Sequence, residues 1–168
     1  PIFDHVSYRG VPDVRIIVFQ GYPVMAMIRL PTRQSDGKAN LHQGAIGVGI
    51  DIPTGKTCRG VWGNEPVKEH PDTEHSIIGM EIPHWDDLLL IAANASAMSG
   101  LGYVGVDIVL DKTRGPMILE LNARPGLAIQ IANGNGLQHR LAAIEALDQL
   151  ATAPEERVAF SKEHFATR

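Results

Sequence analysis

Cysteine is almost missing: Cys58 is the single one in 168 residues, so no internal disulfide and no cysteine-rich zinc site can hold the chain together. Aromatic residues make up only 5%, which leaves the core to aliphatic side chains. Long apolar runs are absent too. The longest aliphatic stretch, Leu88 to Ala93, is far short of the ~20 residues that span a bilayer, and no basic-then-apolar leader opens the chain. Fifteen Lys and Arg against nineteen Asp and Glu give a net charge of -4, with no basic cluster dense enough to follow a phosphate backbone. The expectations are no membrane span, no nucleic-acid partner and a cytoplasmic location. The 17 Gly and 11 Pro announce many turns. The length suits one core and falls short of two ordinary domains.

Residues 1–12 read as an irregular lead-in that opens on Pro1 rather than Met, the expectation being a piece of a longer chain. From Asp13 to Gln20 a β-branched run meets Gly21-Tyr22-Pro23 and resumes from Val24 to Leu30, the pattern of a hairpin. A polar loop, Thr32 to Gln43, follows. Ala45 to Ile52 and Lys56 to Trp62 flank Pro53-Thr54-Gly55 as a second hairpin, its first strand weakened by Gly47 and Gly49. Asn64 to Pro83 reads as loop. A helix is predicted from His84 to Ser99, with Asp86 and Asp87 in its first turn and Gly100 stopping it. Leu137, Leu141, Ile144 and Leu147 recur at helical spacing. The tail, 154–168, carries a weak helical signal with Val158, Phe160 and Phe165 as contacts. The class expected is α+β, a mostly antiparallel sheet built from hairpins with helices covering one face.

Gly100-Leu-Gly102-Tyr-Val-Gly105 spells a dinucleotide-binding loop, but in the wrong setting. That loop needs a strand before it and a helix after it, so that pyrophosphate meets a helix N-terminus; here helix precedes strand.

The third hairpin, Tyr103 to Asp111 and Pro116 to Ala123, carries the chemistry. Val104, Val106, Ile108 and Leu110 share one face, so Asp107 points to the other. In the return strand Met117, Leu119, Leu121 and Ala123 read as core, leaving Ile118, Glu120 and Asn122 opposite. Closing the turn symmetrically between Thr113 and Arg114 sets Asp107 against Glu120 and Gly105 against Asn122. Carboxylates ~5 Å apart repel by about 3 kcal/mol at an effective dielectric of ~20. A shared proton, a nearby Lys or Arg, or a cation would offset that. Two carboxylates and an amide oxygen, beside a glycine, suit magnesium that keeps positions for water and phosphate oxygens. On this reading Asp107→Asn should raise stability in the absence of metal.

Gly105-Val-Asp107 with Leu119-Glu120-Leu-Asn122-Ala-Arg124-Pro-Gly126 resembles the metal-binding end of ATP-grasp ligases. Asp13-Val-Arg15, Ala26-Met-Ile-Arg29 and Ala39-Asn40-Leu-His42-Gln-Gly44 recur in that order in the branch containing the glutamate ligase that modifies ribosomal protein S6. His70-Pro-Asp-Thr and Ile82-Pro-His-Trp85 narrow the resemblance to alpha-L-glutamate ligase-like, or sugar-transfer-associated, ATP-grasp proteins. It covers about Asp13 to Leu137, and the unit is expected to be an ATP-grasp C-terminal subdomain over 13–153.

The resemblance implies metal ligation by Asp107, Glu120 and Asn122, with one or two Mg2+ ions, or Mn2+, on ATP. It implies catalytic roles for Arg29 and Asn40 and nucleotide or substrate contacts for Arg15, Lys38, His42 and Arg124. Arg124 replaces a small residue common in the S6-modifying branch. His70 and His75 lack a third ligand in pattern, which argues against zinc. The phosphate-binding lysine, glycine-rich flap and ribose-reading acid of the other ATP-grasp lobe have no counterpart before Asp13, so the N-terminal half of the cleft is expected to be missing and the fragment alone inactive. The implied reaction joins a small-molecule or peptide carboxylate to an amine, glutamate among the candidates, through an acyl phosphate. An ATP-grasp kinase acting on an alcohol, or a non-catalytic nucleotide-binding module of an envelope or polysaccharide system, are the alternatives.

Overall fold

Alternating β-branched and aliphatic residues pair off into successive hairpins, and these join edge to edge. The structure is a computed structural model that describes residues 3–167. Among them are seven strands, β1 Asp13–Phe19, β2 Tyr22–Leu30, β3 Ile46–Ile50, β4 Thr57–Trp62, β5 Glu65–Val67, β6 Tyr103–Asp111 and β7 Gly115–Asn122. They form one sheet in the order β5-β4-β3-β2-β1-β6-β7, every neighbouring pair antiparallel. The helices are α1 Trp85–Ser99, α2 Ala128–Asn133, α3 Gln138–Glu145 and α4 Pro154–His164. This is the α+β class expected. No helix among the described residues is long and apolar enough to cross a membrane.

Two turns sit elsewhere than expected. Gln20 and Gly21 have φ of 50° and 84°, the backbone of a two-residue turn whose twist suits a hairpin. The return strand therefore starts at Tyr22, and Pro23, which lacks an N–H, pairs with Val18 at a bulge. Gly63 and Asn64 repeat the device with φ of 56° and 71°. They launch β5 where a loop was expected, and Pro66 is tolerated because β5 is an edge strand.

One face of the sheet carries Val14, Ile16, Val106 and Ile108, all fully buried. Helix α1 covers it with Leu88, Leu89, Ala92 and Ala93, and the Trp85 indole Nε1 donates to the Ile52 carbonyl at 2.8 Å. Gly100 ends α1 with φ 69°, and a Cβ on Gly105 would stand 2.6 Å from Pro125; the glycine motif is a helix stop and a close approach. Helix α4 packs on α1 and β2. Beside it, fully buried Arg140 donates to the carbonyls of Val24 at 2.6 Å and Ala166 at 3.3 Å, tying the tail to the sheet.

The other face is covered only in part. Helix α2, which the periodicity did not announce, lies over β3, where a Cβ on Gly49 would be 2.6 Å from the Ala132 carbonyl oxygen. The glycines that weaken β3 as a strand are what lets a helix lie on it. Buried Asn133 fixes α2 by donating Nδ2 to the carbonyls of Ala26 at 3.0 Å and Ile129 at 2.9 Å.

Strand β7 corrects the expected core face. It is the edge strand opposite β5, and Leu119 is 64% exposed, with Ile118, Leu121 and Ala123 also exposed. The turn is not symmetric. The Asp111 carboxylate accepts from the backbone N–H of Arg114 and from the hydroxyl and N–H of Thr113, bonds that hold its pKa down at about 2. Asp111 pairs with Gly115 and Ile108 with Ile118, until an extra residue, Leu119, shifts the register. Only past that bulge does Asp107 face Glu120 and Gly105 face Asn122. Before it, Met117 opposes Val109 and Ile118 opposes Ile108, the reverse of the faces expected.

Gly49→Ala should lower stability by ~1–3 kcal/mol, because the new methyl meets helix backbone that cannot yield. Gly126→Ala, with open space around the added Cβ, should leave the urea midpoint nearly unchanged. Equal midpoints for both variants would show that α2 is not seated on β3.

Candidate functional site

The open part of that second face lies over β2, β1 and β6, and strand registry fills it with charge. Asp13 pairs with Arg29 across β1–β2, Arg15 with Asp107 across β1–β6, and Asp107 with Glu120 across β6–β7. Residues directly opposite share a face, so these groups lie on adjacent rungs. Arg15 donates Nε and Nη2 to the two oxygens of Asp107, each at 2.7 Å. Arg29 donates Nε to Asp13 Oδ1 at 2.6 Å and Nη2 to Asp13 Oδ2, and the same Nη2 reaches Asp107 Oδ2 at 2.8 Å. Asn122 adds its amide Nδ2 to Asp107 Oδ2 at 3.3 Å. The charges alternate, Asp13, Arg29, Asp107, Arg15, and cancel.

Burial makes this cancellation necessary. Asp107 and Asp13 are only 1% and 4% exposed, and a buried carboxylate without a partner is far costlier than a paired one. Burial works against the Arg29 charge, but its hydrogen bonds to Asp13 and Asp107 and their negative charges more than offset this and hold its pKa up. Burial outweighs the bonds and charge of Arg29 and, with the negative charge of Asp107, leaves the Asp13 carboxyl above its ordinary range. Two donors of one guanidinium aimed at both its oxygens fit the ionised form.

The expected repulsion between Asp107 and Glu120 is therefore not what governs the site. Their registry is as read from the sequence, but Arg15 and Arg29 neutralise Asp107, and Glu120 is exposed. Asp13 went unrecognised as a site residue. The available signal was its parity with Arg15 on β1, opposite Arg29.

The loop after β2 completes the surroundings. Asn40 Oδ1 accepts from the His42 N–H at 3.0 Å, capping a 3-10 turn at Leu41–Gln43. Asn40 and His42 line a cavity of about 210 Å³ with Arg15, Arg29, Met27 and Gly126. Lys38 and Asn40 border a wider groove of about 600 Å³ with Val11, Asp13 and Leu119. The structure thus gathers Arg15, Arg29, Asn40, His42, Asp107 and Asn122, sets Lys38 on the neighbouring groove, and leaves Glu120 and Arg124 exposed on the β7 side.

No group of three His, Cys, Asp or Glu among the described residues is arranged to hold a metal ion. His70 and His75 instead bond to the backbone carbonyls of Pro31 and Thr73. The donor types on β6 and β7, two carboxylates and an amide on adjacent rungs, suit a hard divalent cation. In this arrangement a guanidinium stands on the carboxylate such a cation would use.

A family model described as sugar-transfer associated ATP-grasp matches residues 1–146. Three curated relatives carry the name probable alpha-L-glutamate ligase. That of Sodalis glossinidius is 28% identical over 74% of this chain and 30% of its own length. That of Klebsiella pneumoniae is 30% identical over 78% and 33%, and that of Thioalkalivibrio sulfidiphilus 29% over 82% and 35%. The chain spans about a third of the length of these relatives.

Asp107→Asn should destabilise the chain by ~3–5 kcal/mol in chelator, since it strands the largely buried Arg15 guanidinium and takes from Arg29 one of its two carboxylates, opposite in sign to the expectation from carboxylate repulsion alone. Glu120→Gln should change stability by less than ~0.5 kcal/mol. A higher melting temperature for Asp107→Asn would mean the arginines do not neutralise Asp107.

Proposed function

The chain belongs to the sugar-transfer associated ATP-grasp family, and from that premise we propose that it is the phosphate- and metal-binding part of an ATP- and Mg2+-dependent carboxylate–amine ligase. The observation that carries the reading is the pair of guanidiniums, Arg15 and Arg29, at a cavity bordered by Asn40 and His42 and flanked by Asp107, Glu120 and Asn122. ATP use follows from the family; the names of the relatives support the joining of a carboxylate to an amine, glutamate among the candidates.

In the proposed reaction a substrate carboxylate oxygen attacks the terminal phosphorus of ATP, the bond to the ADP oxygen breaks, and an acyl phosphate results. An amine then attacks the acyl carbon, loses a proton and expels phosphate. Arg29 neutralises charge on the transferring phosphoryl group, and Asn40 donates to its oxygens. Arg15, His42 and Lys38 bind the remaining phosphate or substrate charge, and Arg124, exposed beside β7, meets the acyl substrate. Asp107, Glu120 and Asn122 would hold magnesium, or manganese in its place, which when bound would supply positive charge against that of the phosphates. For that, Arg15 has to exchange Asp107 for a phosphate oxygen.

The test uses the whole polypeptide that carries this chain. The right carboxylate should support slow ADP release, faster release with the amine, and trapping as a hydroxamate by hydroxylamine. Arg29→Ala and Glu120→Gln should each cost at least ~100-fold in rate. Release that depends on an alcohol, ignores every amine and yields no hydroxamate would replace the ligase by a kinase. Without nucleotide, Arg15→Gln should bind Mn2+ at least ~10-fold more tightly than the parent, about 1.4 kcal/mol, as read by calorimetry; unchanged affinity would remove Arg15 from competition for Asp107.

A further inference from the structure

His70-Pro71-Asp72-Thr73 serves neither the sheet nor the proposed chemistry, yet His70 is fully buried. Its two ring nitrogens have opposite partners. Nε2 lies 2.9 Å from the Pro31 carbonyl, and Nδ1 lies 3.2 Å from the Asp72 N–H. A carbonyl only accepts and a backbone N–H only donates, so the assignment is forced: Nε2 carries the proton and Nδ1 is bare. Asp72 adds a third bond, its carboxylate Oδ2 accepting from the Arg33 N–H at 2.7 Å. The segment is itself braced, since the N–H of His70 donates to His75 O and that of Glu74 to His70 O.

Pro31 and Arg33 are the residues by which the chain leaves β2, directly after Arg29 and Leu30. From there the loop is closed on itself. Thr32 Oγ1 donates to the Gly44 carbonyl at 2.8 Å, the Ser35 N–H donates to Thr32 Oγ1 at 3.1 Å, and the Asn40 carbonyl accepts from the N–H groups of Gln43 and Ala45. A loop so knotted moves as one piece, and its outside attachments set where Asn40 and His42 stand over the Arg15–Arg29 cavity. Four such attachments hold it: at its start Tyr8 N–H and His70 Nε2–H on Pro31 O and Asp72 on Arg33 N–H, and at its end the Trp62 indole N–H on Gly44 O.

We propose that His70 and Asp72 are positioning residues: they clamp the base of the Asn40–His42 loop and thereby fix its place above the two guanidiniums. Neither touches the cavity. The proposal rests on the reading of that cavity as the phosphate site, and the clamp itself can be tested without it.

A long-range 1H–15N spectrum of the chain should show the His70 imidazole as the neutral Nε2–H tautomer; an Nδ1–H tautomer would overturn the clamp. In Asp72→Ala, which leaves the buried ring in place, amides of 33–44 should exchange at least ~5-fold faster, the loss of about one net hydrogen bond, while those of β1, β2 and β6 change less than ~2-fold. In His70→Gln, which retains a donor for Pro31, loop exchange should rise less than in His70→Ala. Exchange that rises equally in loop and sheet, or not at all in Asp72→Ala, would make His70 a packing residue only. In the whole polypeptide, Asp72→Ala should raise the KM for ATP several-fold with little loss of kcat. Faster loop exchange with KM unchanged would leave the clamp standing and overturn its role at the site. Should no carboxylate elicit ADP release from the parent, the ligase reading fails while the exchange data still decide the clamp.

Discussion

Neutralising two carboxylates buried on a sheet is the constraint on which the rest of the structure depends. Asp13 and Asp107 lie on neighbouring strands, almost without solvent, and among the described residues the positive charge that reaches them is that of the Arg15 and Arg29 guanidiniums. The pairing demands that β1 sit between β2 and β6, in a register that puts Arg15 opposite Asp107 and Arg29 opposite Asp13. A slip of one residue on any of the three strands would carry a charged group to the aliphatic face. The ionic chain thus enforces sheet order and register together, while the apolar face under α1 accepts many equivalent contacts.

The two faces divide labour because of what covers them. Where α2 lies, the strand beneath is Gly47 and Gly49 and the layer is close-packed; where α2 stops, side chains can stand up from the sheet, and those present are charged. Pro125, wedged against Gly105, turns the chain from the β7 edge back over this face, so that Gly126 and Ala128 reach the rim of the Arg15–Arg29 cavity. A helix long enough to cover the whole face would have removed the site.

The legible parts were those set by neighbours in sequence. Alternation in Asp13–Phe19 and Tyr103–Asp111 showed which residues shared a face, and the glycine and turn residues between strands marked the hairpins. What escaped had a physical reason in each case. Six residues of α2 are too few for a helical period, and its place depends on Asn133 bonding to Ala26 from 107 residues away. The β7 register was read correctly at Asp107 through a symmetric turn that does not exist, because the Leu119 bulge restores the shift that the Asp111 turn removes. The arginines were harder still. Hairpins are visible locally, but nothing local says that β6 docks on β1, and the Arg15–Asp107 pair spans 92 residues.

On the proposed reading, the ion pairs that hold the ligand-free site also order its loading. A cation approaching Asp107 alone meets a carboxylate whose oxygens already accept from Arg15, Arg29 and Asn122, and it must displace a guanidinium that has nowhere better to go. A polyphosphate alone offers Arg15 new acceptors, but leaving Asp107 reopens the repulsion with Glu120 across the β6–β7 rung. Together the two ligands exchange partners without leaving a charge uncovered. Each therefore strengthens the other's binding, and by linkage the coupling is the same in both directions. Arg29 is bonded to Asp13 as well as to Asp107, so one guanidinium can remain anchored to the sheet while the other changes sides, and the strand register that buried the carboxylates is what keeps both within reach.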